Sequence, residues 1–74
     1  NFEYYVLKGG EQLIKKHLPI IYTELWDNEN REKCLSFIRA LDYSVNVLNS
    51  GQLELFEPAK HQTQNFFFMP PKKS

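Results

Sequence analysis

His17-Leu-Pro-Ile-Ile-Tyr-Thr-Glu-Leu-Trp-Asp27 is an apolar run with a carboxylate near its far end. Pro19 lacks an N–H and drives its neighbour out of the α region, so it ends whatever helix comes before it. Ile20, Ile21, Tyr22 and Thr23 are strand formers, and the run is apolar at consecutive rather than alternate positions. Such a pattern reads as a strand covered on both faces, here spanning about residues 20–26. Glu24 then falls toward the carboxyl end of that strand. Open α/β sheets bind their ligands at this edge.

Outward from this strand, residues 2–17 read as helix in two pieces. Phe2, Tyr5, Val6 and Gly9 recur at threes and fours and predict one face. Gly9-Gly10 interrupts it, since each glycine costs about 1 kcal/mol in a helix interior. The second piece runs through Leu13 and Ile14 to Lys15, Lys16 and His17, cations that suit the carboxyl end of a helix dipole.

On the other side, Asp27-Asn-Glu-Asn30 offers N-cap residues for the next helix. From Arg31 to Leu41, Cys34, Ile38 and Leu41 form a stripe that Leu35 and Phe37 widen. Arg31, Glu32, Lys33, Ser36 and Arg39 take the polar face. Asp42 marks the exit. Residues 43–48 alternate as a half-buried strand, Asn49-Ser-Gly51 is a turn, and residues 52–56 are the second strand of a hairpin. A polar loop over 58–63 leads to Gln64-Asn-Phe-Phe-Phe-Met69, where three consecutive phenylalanines predict a central strand covered on each side.

The order helix, strand, helix, strand, hairpin strand, strand predicts an α/β unit. Its strand–helix–strand portion predicts a parallel pair with a right-handed crossover. The last strand should return antiparallel. Residues 70–74, Pro-Pro-Lys-Lys-Ser, predict a disordered or extended tail.

Seventy-four residues make a single unit, and a chain of this size buries only about 60% of its unfolded surface. Two helices cannot cover both faces of three or four strands. Nine basic and nine acidic residues cancel, so no field draws nucleic acid or anionic lipid. No apolar run approaches the ~20 residues that span a bilayer. Cys34 is the one cysteine, which rules out an internal disulfide framework and reads as a small buried thiol. A reducing, cytoplasmic location fits it. With His17 and His61 it makes no metal-ligand pattern. Neither a Gly-x-Ser-x-Gly elbow nor a P-loop occurs, so hydrolase and nucleotidase readings lack support.

Four pieces, in order and in spacing, resemble the carboxyl-terminal part of FkbM-type methyltransferases: Glu3-Tyr-Tyr-Val-Leu-Lys-Gly9, Pro19-Ile-Ile-Tyr-Thr-Glu-Leu25, Asp42-Tyr43 and Gln64-Asn-Phe-Phe-Phe-Met-Pro70. The resemblance covers almost the whole chain. It implies a partial Rossmann-like methyltransferase sheet, the last third of seven strands, lacking the cofactor-binding first half. It also implies that the strand at 64–69 inserts antiparallel between those at 20–26 and 43–48. S-adenosyl-L-methionine is the implied cofactor, held by a Gly-rich loop and an acidic residue upstream of these residues. Asn1 stands where the family has glycine, and Asn tolerates left-handed backbone. The implied partner is a small hydroxylated acceptor such as a sugar, with no nucleic acid and no membrane. The chain by itself is expected to be inactive.

Methyl transfer to oxygen aligns acceptor, methyl and sulfonium in line, while a base or polar network removes the acceptor proton. Glu24 and Glu3 are the candidate acceptor-side catalytic groups. Glu24 equally suits a helix N-terminus or an arginine partner, and Glu3 suits first-turn placement. Trp26 and His61 are candidate substrate-binding residues. An edge aromatic and a solvent-facing loop histidine are their plainer readings. Asn65 matches a family position, and a buried structural amide is its plainer reading. A different class of function is also open: a self-contained α/β interaction module that dimerises through its Phe-rich strand.

Overall fold

Gly9-Gly10 divides the amino-terminal helical stretch into α1 (Glu3–Gly9) and α2 (Glu11–His17) in a computed structural model that describes residues 3–72. Leu18 turns left-handed at φ 48° and donates its N–H to Ile14 at 2.8 Å, ending α2 just before Pro19. The first strand, β1, is Ile21–Glu24. Helix α3, Glu29–Ala40, starts at Asn28, whose side chain accepts the Arg31 N–H at 3.3 Å. Strands β2 (Ser44–Asn49) and β3 (Gln52–Leu55) form a hairpin. Ser50 and Gly51 both take positive φ, 53° and 82°, the geometry of a two-residue turn whose twist matches its strands. Strand β4 is Asn65–Met69. Pro70, Pro71 and Lys72 carry no regular structure; the rest of the expected tail, like Asn1 and Phe2, lies outside the described residues.

The sheet order is β1-β4-β2-β3, and every neighbouring pair is antiparallel. Strands β1 and β2 run the same way but do not touch, which corrects the parallel pair read from strand–helix–strand order. The slot between them is filled by β4, whose register sets Thr23 beside Phe66 and Val45 beside Phe68. The most apolar strand thus gains neighbours on both edges.

Cover is one-sided, and here the expectation of two buried faces fails. Phe66 and Phe68 are fully buried with Val45, Val47 and Leu25 beneath the helices, where Leu7, Ile14, Cys34, Leu35 and Ile38 complete the core. Burial of this kind contributes about 25 cal/mol per Å² of apolar surface removed from water. The opposite face carries Tyr22, Phe67, Leu48, Leu53 and Leu55, and Tyr22 is 59% exposed. Phe67 is shielded in part by the Tyr22 ring, 4.9 Å away. No helix among the described residues lies on this side, because all three belong to the layer that covers Phe66 and Phe68.

The face read for α1 is also wrong. Tyr5 and Val6 are exposed, while Leu7 joins the core and Tyr4 sets its edge against Phe37 at 6.2 Å. Helix α1 packs on α3, and that contact selects the Tyr4–Leu7 side. No helix among the described residues is long and apolar enough to cross a membrane.

Candidate binding cleft at the carboxyl edge of the sheet

Beyond the carboxyl end of β1, a cleft of about 750 Å³ opens between α3 and the loop that joins β3 to β4. Arg31, Leu35 and Arg39, spaced by fours, make the helical wall, since residues four apart share a helix face. Asp27 and Glu32 edge it, and Phe56, His61 and Gln62 to Asn65 form the opposite wall.

Arg31 sits at the bottom. Its residue is only 9% exposed, which corrects the polar-face reading of the sequence. Nη2 donates to the Leu25 carbonyl at 2.8 Å and to the Thr63 carbonyl at 3.1 Å. The guanidinium lies 5.0 Å over the Phe66 ring, and Nη1 is 3.4 Å from the Asp27 carboxylate. One charged fork therefore fastens the end of β1 to the approach of β4. Its Nε is buried without a protein partner, a state that costs about 1–3 kcal/mol when no other oxygen reaches it. Asp27, by contrast, has a side chain 92% exposed.

His61 is not solvent-facing. Its side chain is 8% exposed; Nδ1 accepts the Glu57 N–H at 3.0 Å, so Nε2 is the nitrogen that donates to Glu54 at 2.6 Å. Glu54 also accepts from Asn49 at 2.9 Å and pairs with Lys60 at 3.5 Å. The His61 and Asn49 hydrogen bonds hold its carboxyl down at about 2. Of the four residues singled out for chemistry, His61 is the one that reaches the cleft wall, and its hydrogen bonds fix the loop to β3.

The other three lie elsewhere. Glu24 is exposed on the uncovered face, paired in register with Asn65. Trp26 is 59% exposed and is not among the residues lining the cleft. Glu3 sits in the first turn of α1, where Asn30 donates to its carboxylate at 2.9 Å. A hydrogen bond from its own backbone, aided by Asn30 and opposed by desolvation, lowers its pKa. Asn65 is exposed rather than buried, and its Oδ1 accepts the Tyr22 hydroxyl at 2.9 Å. Cys34 is wholly buried, and desolvation with the nearby Glu3 charge pushes its thiol up to about 11. No group of three or more potential metal ligands occurs among the described residues.

Sequence reasoning does not bring Asp27 and Arg31 to this cleft. The signal for both lay in their spacing of four, which lets an aspartate before a helix meet an arginine one turn inside it. No family model, curated protein or solved structure matches the chain.

Proposed function

We propose that the chain is the carboxyl-terminal, acceptor-side portion of an S-adenosylmethionine-dependent O-methyltransferase acting on a small hydroxylated compound. One observation carries this reading: β4 lies antiparallel between β1 and β2, which run alike. That is the insertion implied by the FkbM-type resemblance of Glu3–Gly9, Pro19–Leu25 and Gln64–Pro70. The uncovered apolar face supports it further, because a Rossmann-like sheet is covered on both sides and this one has helices on one.

The residues present do not form a cofactor site. The chain's glycines are Gly9, Gly10 and Gly51, in the helical break and the hairpin, and none lines the cleft. No backbone there is freed for close approach to a cofactor. On this reading the cofactor is held by other polypeptide, and this chain supplies a wall for the acceptor. What the chain offers at the carboxyl edge is polar and balanced in charge, suited to orienting a hydroxyl group.

The test is transfer of a labelled methyl group from S-adenosylmethionine to a panel of hydroxylated compounds, catalysed by the product of the whole reading frame that contains these residues. Transfer to a hydroxyl is expected. A whole product without a glycine-rich turn after a strand, and without transfer, overturns the proposal.

A second reading, an interaction module that pairs with itself, draws on the same uncovered face. Both edges of β4 are already occupied, so association through the Phe-rich strand would have to be face to face. Sedimentation separates the readings: a tight dimer of the whole gene product that buries Tyr22 and Phe67 favours the module.

A further inference from the structure

We infer that the cleft between α3 and the 57–64 loop binds a neutral compound bearing adjacent hydroxyls, and that Asp27 is the carboxylate that positions one of them. As the acceptor's seat, this deepens the methyltransferase reading; as a polyol site, it stands without it.

Asp27 has the attributes of a ligand-facing group held from behind. Its carboxylate is open to solvent, with Arg31 Nη1 3.4 Å from Oδ1. Arg31 is itself fixed by the Leu25 and Thr63 carbonyls and by the Phe66 ring. A buried, fully oriented support behind an exposed acid is the arrangement that holds a binding group to its geometry. An exposed partner in an ion pair adds little to folding, so stability does not explain the placement.

The lining sets the chemical class. Asp27 and Glu32 oppose Arg31 and Arg39, so neither an anion nor a cation gains from the net charge. Gln62 and Gln64 add amides that both donate and accept. Hydroxyl pairs both donate and accept too. They match a cleft with carboxylates and guanidiniums on its helical side and amides on its loop side, and a neutral diol meets each without a charge to leave unpaired.

The experiment is a titration of the isotope-labelled 74-residue chain with methyl β-glucoside, followed by backbone amide shifts in nuclear magnetic resonance. Saturable shifts are expected at Asp27, Arg31 and Gln64. Asp27→Asn should weaken binding by about tenfold, the loss that accompanies removal of a charged hydrogen-bond acceptor, while its remaining spectrum stays unchanged. Gln64→Ala, which keeps the backbone bond to Leu25, should weaken it as well. Inorganic phosphate and methylammonium are run beside it. No shift with glycoside, a stronger response to either ion, or shifts confined to the Tyr22–Phe67 face overturns the inference. If glycoside binds and the whole gene product transfers no methyl group, the site stands and the methyltransferase reading falls. If glycoside binds Asp27→Asn as tightly as the unaltered chain while the whole gene product transfers methyl groups, the inference falls and that reading stands.

Discussion

Arg31 stacks its guanidinium 5.0 Å over the Phe66 ring while donating to carbonyls on both sides of that ring's strand junction. The charge is thereby shared between a fully buried aromatic and the two chain segments that frame the cleft. Removing it strands the Leu25 and Thr63 carbonyls. Arg31→Ala is expected to lower the unfolding free energy by about 2–3 kcal/mol, the usual loss for charged hydrogen bonds in buried sites. For a domain this small that is a fall in Tm of about 10 °C or more. Arg31→Lys should recover only part, since an ammonium has no planar group to lie over Phe66 and no second nitrogen to meet Asp27. Thermal unfolding followed by circular dichroism decides it; an unchanged midpoint for Arg31→Ala contradicts the fastening role.

The two faces of β4 give opposite expectations for neighbouring phenylalanines. Phe66 and Phe68 are fully buried, and replacing either with alanine should cost about 3–5 kcal/mol, enough to unfold most of a marginal domain. Phe67 lies on the uncovered side with Tyr22. Phe67→Ser should change the midpoint by a few degrees at most and reduce binding of an apolar dye. Equal losses at positions 66 and 67 would mean that both faces are packed.

How much of this was legible in the sequence follows from which forces are local. Pro19, the Gly9-Gly10 pair, Asn28 and the Ser50-Gly51 turn act through their own backbone, and each boundary they imply is present. The central place of Phe66 to Phe68 was readable because three such rings in a row leave few other homes. The buried side of α1 was not readable, since Tyr5–Val6 and Tyr4–Leu7 are comparable in hydropathy and only the approach of α3 chooses between them. Nor was the burial of Arg31, whose long stem carries a cation from the polar flank of α3 to carbonyls distant in sequence. The burial of His61 is hidden for a similar reason: its partners, Glu54 and the Glu57 N–H, meet it only because the loop folds back on β3. Glu24 was placed at the correct strand end, but strand alternation turned it to the uncovered face. The exposed carboxylate that lines the cleft at that edge is Asp27.

Acid should loosen the β3 side first. Hydrogen bonds from His61 and Asn49 depress the Glu54 carboxyl to about 2, below its value of about 4.3 in an unfolded chain. A folded-state pKa lowered in this way contributes stability above pH 4–5, and that contribution is lost as the pH falls toward 2. Glu3, also lowered, acts in the same direction. Urea midpoints measured from neutral pH downward should therefore decline across this window, and Glu54→Gln should flatten the decline. Matching slopes for the two proteins would show that the carboxylate is not held by His61.

Cys34 should be inert in the folded chain. Its thiol is wholly buried and pushed up to about 11, and the thiolate is the reactive form. Reaction with an aromatic disulfide reagent at neutral pH is expected only after addition of denaturant. Prompt labelling of the native protein contradicts the packing described for α3.

The most direct test of the central claim is calorimetric titration of S-adenosylmethionine into two polypeptides, the 74-residue chain and the whole product of the reading frame that contains it. One-to-one binding by the whole product and no heat from the chain by itself is the expected result. Heat from the short chain, or none from the whole product, contradicts the assignment of these strands to the acceptor side of a methyltransferase sheet.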